Sequence, residues 1–203
     1  MLGRLDLRQY HACALVERYW DSLHVAGALP LRSQINPRGI EDALNYAFIL
    51  ESLGAGHARL RVAGMHLNEL MGMEVRGMPV SCLISPASRE AFARALGAVL
   101  NGPAKMQLGL VAEGAGAPQQ GTRLEARMLL LPLQDDTGCV NRVLGCFETK
   151  GAVTTAPHRF SLTDVKKTPL EVGPLFAAAP PPVLQQGAGF AEEQAGYETA
   201  SKR

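Results

Sequence analysis

The stretch Arg59-Leu-Arg-Val-Ala-Gly-Met-His-Leu-Asn-Glu-Leu-Met-Gly-Met-Glu-Val-Arg-Gly-Met-Pro-Val-Ser-Cys-Leu83 decides the fold. It opens as a half-buried strand, with Leu60 and Val62 facing one way and Arg59 and Arg61 the other. Gly64 stops the alternation. Leu67, Leu70 and Met71 then form the apolar stripe of one short helix. Gly72 stands where a helix C-cap takes positive φ, and Gly77 and Pro79 mark a turn before Leu83 and Ile84. A strand, a short helix and a glycine-marked loop in succession make the wall and lid of a small pocket rather than a catalytic motif. They predict a sensor or regulatory domain.

Upstream, Tyr46 to Leu50 is apolar throughout, the pattern of a strand covered on both faces. Gly54 and Gly56 turn it into the Ala58–Ala63 strand as a hairpin. Asn36-Pro37 starts a short helix through Ile40, Ala43 and Leu44, with Asn as cap and Pro in the first turn. Further back, Leu5 to Ala28 reads as a helix. Val16, Tyr19, Trp20 and Leu23 share one face at i, i+3, i+4 and i+7. Gly27 is its expected C-cap, and Pro30 forbids continuation. The only tryptophan lies here, so this face packs on the domain's own sheet or on a partner helix in a dimer.

Downstream, Ser85 to Leu100 is a longer helix with Phe92, Leu96 and Val99 inward, ended by Asn101-Gly102-Pro103. Three strands follow. Met106, Leu108 and Leu110 alternate in the first; Leu124, Ala126, Met128 and Leu130 in the second; Val140, Arg142, Leu144 and Cys146 in the third. From Met128 to Leu133 both faces are apolar, which turns Leu129 and Leu131 toward the Trp20 helix. Asp135-Asp136-Thr137-Gly138 is the last hairpin turn. The fold class is therefore α+β: a five-stranded antiparallel sheet, short helices inserted after its second strand, and an N-terminal helix on its outer face. Residues 1–29 hold that helix, 30–150 the domain, and 151–203 a Pro/Ala/Gly-rich tail expected to be disordered. Within that tail Phe160-Ser161-Leu162 and Leu170 to Phe176 are small apolar clusters, either peptide docking motifs or inert.

Composition narrows the function. The 203 residues carry 20 Lys plus Arg against 19 Asp plus Glu, net charge +1. That balance lacks the basic stripe of a nucleic-acid binder and offers nothing to an anionic membrane. No apolar run reaches the ~20 residues that span a bilayer, and residues 1–10 lack the apolar segment of a secretory signal. Four scattered cysteines suit a reduced compartment, so a cytoplasmic location is expected.

The candidate chemistry is sparse. Gly116 to Thr122 has the glycine spacing of a phosphate loop but no lysine, and it joins two strands, so a hairpin loop is expected. None of the histidines stands at metal spacing with a cysteine or another histidine, so no metal site is expected. His66, near the pocket mouth, is a ligand contact, a pH-sensitive group or a solvated side chain. Cys82 and Cys146 are expected to line the cavity as small hydrophobes. Arg59, Arg61, Arg123 and Arg127 are expected on one outer face, ion-paired through Glu125. No Gly-x-Ser-x-Gly elbow is present, and an enzyme is not expected.

These motifs together resemble short bacterial stand-alone PAS domains with a helical N-terminal extension. The resemblance rests on Tyr19-Trp20 with Leu23, Leu29-Pro30, Ile35-Asn36-Pro37-Arg38-Gly39-Ile40 with Leu44, and Leu60-Arg61-Val62-Ala63-Gly64. It continues through Glu69-Leu70-Met71-Gly72, Gly77, Leu131-Pro132-Leu133, Asp136-Thr137-Gly138 and Val143-Leu144-Gly145. Asn36 and Glu74 stand where the family often has Asp, and Met65 where it often has a small hydroxyl residue. The resemblance implies a sheet cupping a small cavity, signalling or protein interaction, and dimerisation through the N-terminal helix.

The cofactor is unknown: Ser85 to Leu100 contains neither the His of a haem ligand nor the Cys of a flavin photosensor, so no haem or flavin signature is found. The expected pocket is lined by Phe48, Leu60, Val62, His66, Leu67, Leu70, Met71, Phe92, Leu96, Leu108, Leu110, Met128, Leu130 and Leu144, and would take a small apolar ligand. The expected interface residues are Val16, Tyr19, Trp20, Leu23, Leu129 and Leu131, for a homodimer or a signalling protein partner. The alternative is a ligand-free adaptor acting through the N-terminal helix and tail. Neither nucleic acid nor membrane is an expected partner.

Overall fold

Apolar residues at helical spacing from Ala12 onward form α1, His11–Leu23. The structure, a computed structural model, describes residues 9–25, 27–112, 124–151, 153 and 156–171. The first part of the expected Leu5–Ala28 helix and the Gly116–Thr122 loop lie outside them. α1 ends sooner than expected: the His24 ring stacks on Trp20 (centroids 5.0 Å, 15° between planes), and Gly27 takes positive φ in a turn bridged by Val25 and Ala28.

After α1, the Asn36 side chain caps the turn at Pro37–Ala43 by accepting from the Arg38 N–H. Next come β1 (Ala47–Gly54), β2 (His57–Ala63) and α2 (Met65–Met71). Gly72 closes α2 at φ 68°, a conformation that suits glycine. Then follow α3 (Arg89–Asn101), β3 (Ala104–Ala112), β4 (Leu124–Gln134), β5 (Val140–Lys150) and β6 (Ser161–Pro169). The strands lie in the order β2-β1-β5-β4-β3-β6, and all neighbours are antiparallel.

The sheet has six strands where five were expected. The sixth comes from the stretch read as a disordered tail. β6 is polar and exposed along most of its length, because an edge strand held by backbone pairing to β3 needs no apolar face of its own. Its anchor is Phe160, fully buried and edge-on to Phe147 (5.0 Å, 72°). The disorder expectation is corrected for residues 156–171; for 172–203 it lies outside the described residues.

Side chains of directly paired residues share a face, and the register assigns the two layers. Phe48, Leu50, Leu60, Leu108, Met128, Leu130, Gly145 and Phe147 turn inward, toward α2 and α3. Gly145 is glycine because the Phe48 ring lies over it, 2.2 Å from where a Cβ would stand. Ile49, Gln107, Leu129, Leu131, Leu144 and Cys146 turn outward, under α1.

Two expected pocket residues are thereby corrected. Leu144 pairs with Leu131 and Ile49 on the outer face; residues 143–147 are apolar on both parities, so alternation could not choose between them. Val62 is 48% exposed. A register shift between Ile49 and Leu50 leaves Arg61 unpaired and sets Val62 opposite Ile49 on the outer rim. Cys146 likewise faces α1 rather than the inner layer. The arginines are not one patch: β2 and β4 are separated by β1 and β5, Arg123 lies outside the described residues, and Arg59, Arg61 and Arg142 share the single carboxylate of Glu51. Burial works to raise the Glu51 pKa, but the Arg59 hydrogen bond and the three positive charges outweigh it and hold it low.

Candidate functional site

The inner layer gathers Phe48, Leu60, Leu67, Leu70, Met71, Phe92, Leu96, Leu108, Leu110, Met128 and Leu130 into one buried cluster. α2 supplies three of them because its i, i+3 and i+4 positions fall on one side. At one end the cluster has a polar corner around His66. The His66 N–H donates to the Asn45 carbonyl at 3.0 Å. Its Nε2 shares a hydrogen bond of 2.9 Å with the Thr149 hydroxyl on β5, and its Nδ1 lies 3.6 Å from Glu69. The Tyr46 ring packs 4.9 Å away. His66 is therefore buried, not solvated.

Burial pulls the His66 pKa below its usual value, and the Glu69 carboxylate opposes this only in part. The unfolded chain then binds the His66 proton more readily than the folded one. Stability from this group is complete above the unfolded pKa of about 6.5 and is lost as pH falls toward the folded value. Urea unfolding between pH 7.5 and 5 is expected to show declining stability for the native chain and a flatter profile for His66→Gln. The Glu51 and Asp135 carboxylates, whose pKa values are lowered, act below that window.

The segment leading to β6 straps the inner helices. The His158 N–H donates to Leu70 O, the Phe160 N–H to Leu83 O, and the Ser85 N–H to Phe160 O, each at 2.8 Å. His158 is only 5% exposed, and its Nε2 meets no hydrogen-bond partner among the described residues. The cluster Phe160-Ser161-Leu162 thus docks on its own chain. Sequence reasoning missed His158, whose neighbours gave no apolar pattern.

On the outer face the sheet itself caps α1. No side chain of α1's own caps its N-terminus; instead Glu148 of β5 accepts from the N–H groups of His11 and Cys13, both at 3.1 Å. A carboxylate there also meets the positive end of the helix dipole. Contact with the Cys13 thiol, together with burial, pushes the Cys146 thiol pKa well up. The Trp20 indole N–H donates to Pro132 O at 3.0 Å, and Lys105 sits over its ring at 5.4 Å. The expected interface residues Val16, Trp20, Leu129 and Leu131 are consequently buried inside this chain, which removes them as a surface for a partner. Leu23 is half-buried in the same packing. Tyr19 is spent on the chain too: its hydroxyl accepts from the Asn36 N–H at 2.7 Å and lies 3.3 Å from Gln34 O. Among the described residues no helix is long and apolar enough to cross a membrane.

An antiparallel sheet with short helices on its inner face and an N-terminal helix docked behind it has the layout of a sensory or regulatory domain. The chain belongs to the PAS domain family, whose sequence profile matches residues 8–148. No curated protein matches it. Among solved structures it is similar to one described as an RNA-binding light-oxygen-voltage receptor, at 19% identity and a TM-score of 0.39. That similarity covers 62% of this chain and 37% of the receptor chain, so the protein spans well under half of that neighbour's length.

Proposed function

We propose that this PAS domain is a cytoplasmic regulatory module without catalytic activity, in which the inner layer senses a small apolar ligand and α1 carries the response. One observation supports it above the others. Glu148 and Thr149 are consecutive residues of β5; the first holds the start of α1 on the outer face, and the second holds His66 of α2 on the inner face. A shift of α2 reaches α1 across one peptide unit. A ligand acts here by binding one arrangement of this junction more tightly than the other.

Hydrogen exchange in the first turn of α1 tests the coupling. Glu148→Ala removes the cap, a loss of about 0.5–2 kcal/mol, and is expected to speed exchange there severalfold. Thr149→Val, which cannot bond His66, is expected to speed exchange in the same turn although it touches only the inner face. Unchanged α1 exchange in Thr149→Val would overturn the coupling. Native mass spectrometry and thermal stabilisation across a panel of apolar metabolites test the ligand; no bound species and no stabilisation would count against it.

A second reading, a ligand-free adaptor, is favoured by Phe160, whose side chain already fills part of the inner layer against Phe147. A partner would then meet surfaces other than the buried side of α1. Capture of one partner that survives loss of inner-layer binding would favour this reading.

A further inference from the structure

The two edges of the sheet are finished differently. At β2 the chain folds back: the Gly77 N–H donates to Leu60 O at 2.7 Å, the Leu60 N–H to Met78 O at 2.9 Å, and Arg59 bridges Pro79. That edge is blunted. β6 pairs with β3 on one side. At its start the Leu162 N–H donates to the Ser88 hydroxyl at 3.0 Å; beyond Leu162, among the described residues, no segment pairs with its other side. Such an edge is a template for another strand unless its side chains forbid it. Lysines and a closing proline often do so. Here Lys166 and Lys167 are joined by Asp164 on the same strand, and none of the three forms an ion pair among the described residues.

The order of these charges is self-complementary. When β6 is laid antiparallel to a second β6 with a two-fold axis at Val165, Asp164 of each copy stands opposite Lys166 of the other. Both side chains lie on the same sheet face, since alternate residues share a face. Val165, 47% exposed, meets its own counterpart at the axis. A parallel pairing in register would instead set Asp164 on Asp164 and lysine on lysine. An isologous contact of this kind closes on itself as a dimer.

We propose that the free edge of β6 is a homodimer surface, on which a second copy of this chain adds its own β6 antiparallel across Val165 to make one continuous sheet. The expected dimerisation helix is not needed for this, because the apolar side of α1 is already buried. The contact goes beyond the sensory role above and does not depend on it.

Sedimentation velocity of the full chain over a concentration series tests the proposal. The native chain is expected to dimerise. Asp164→Lys, which sets lysine against lysine twice, is expected to weaken the dimer at least tenfold, as is Lys166→Asp, which sets aspartate against aspartate. The double variant Asp164→Lys/Lys166→Asp restores opposite charges and is expected to regain dimerisation. Far-UV circular dichroism confirms that each variant is folded; these are exposed edge positions. A native chain that stays monomeric throughout the series would overturn the proposal. So would a dimer whose affinity ignores both single swaps, or a double variant as weak as the singles.

Discussion

Trp20→Ala is expected to lower the unfolding free energy by about 3–5 kcal/mol, the usual loss when a buried aromatic is cut to a methyl group. Trp20 is fully buried between α1 and the outer sheet face, its indole N–H serves Pro132 O, and Lys105 and His24 cover its ring. The strand beneath it is held in register with β5, which limits how far the cavity collapses. The corresponding fall in Tm is roughly 6–20 °C at 2–4 °C per kcal/mol, measured by circular dichroism because the variant has no tryptophan left. Trp20→Phe keeps most of the packing and loses the indole donor; it is expected to cost about 1 kcal/mol. If Trp20 served only a partner helix, Trp20→Ala would leave the unfolding midpoint of the dilute chain where it was.

Phe160→Ala has an expected effect of similar size, again about 3–5 kcal/mol. Phe160 lies beyond the last strand expected from the sequence, so a detached tail would tolerate the change. Instead it packs edge-on against Phe147 and is tied on both sides, to Leu83 and to Ser85. Its loss is expected to free the strap and, with it, β6. Trypsin reads this directly: cleavage at Arg159, Lys166 and Lys167 is expected to be slow in the native chain and fast in Phe160→Ala. Rapid cleavage of the native chain at these sites, with an unchanged unfolding midpoint in the variant, would show that the strap is not part of the fold.

Much of the fold was legible because its signals are local. Asn36-Pro37 announces a capped turn, Gly72 the end of α2, and Asp135 to Gly138 a hairpin whose Asp135 carboxylate accepts from the N–H groups of Thr137 and Cys139. The double-faced apolar run at Met128–Leu133 correctly required a second cover, and α1 supplies it. Three things were not legible. The parity of β5 was hidden because Val143 to Phe147 is apolar on both sides. Val62 was turned outward by one extra residue in β2, which flips every side chain after it. β6 carries almost no hydrophobic signal, because an edge strand is held through its backbone.

The candidate site divides the same way. The apolar lining of the inner layer follows from periodicity, since burial per residue is what periodicity records. The polar contacts do not: His66 meets Thr149 across 83 residues, and Glu148 caps α1 across 137. Neither pairing leaves a trace in local spacing, because the partners meet only once the strands have taken their order.

The sequence by itself determined an antiparallel α+β domain, the place of its helices, and a tryptophan helix needing a sheet to lie on, because turn chemistry and hydrophobic period act within a few residues. Only the tertiary structure decided which face each side chain of β5 serves, that β5 ties α1 to α2, and that a polar strand forms the far edge. Those outcomes depend on register and long-range pairing, whose energy belongs to two distant segments at once and to neither alone.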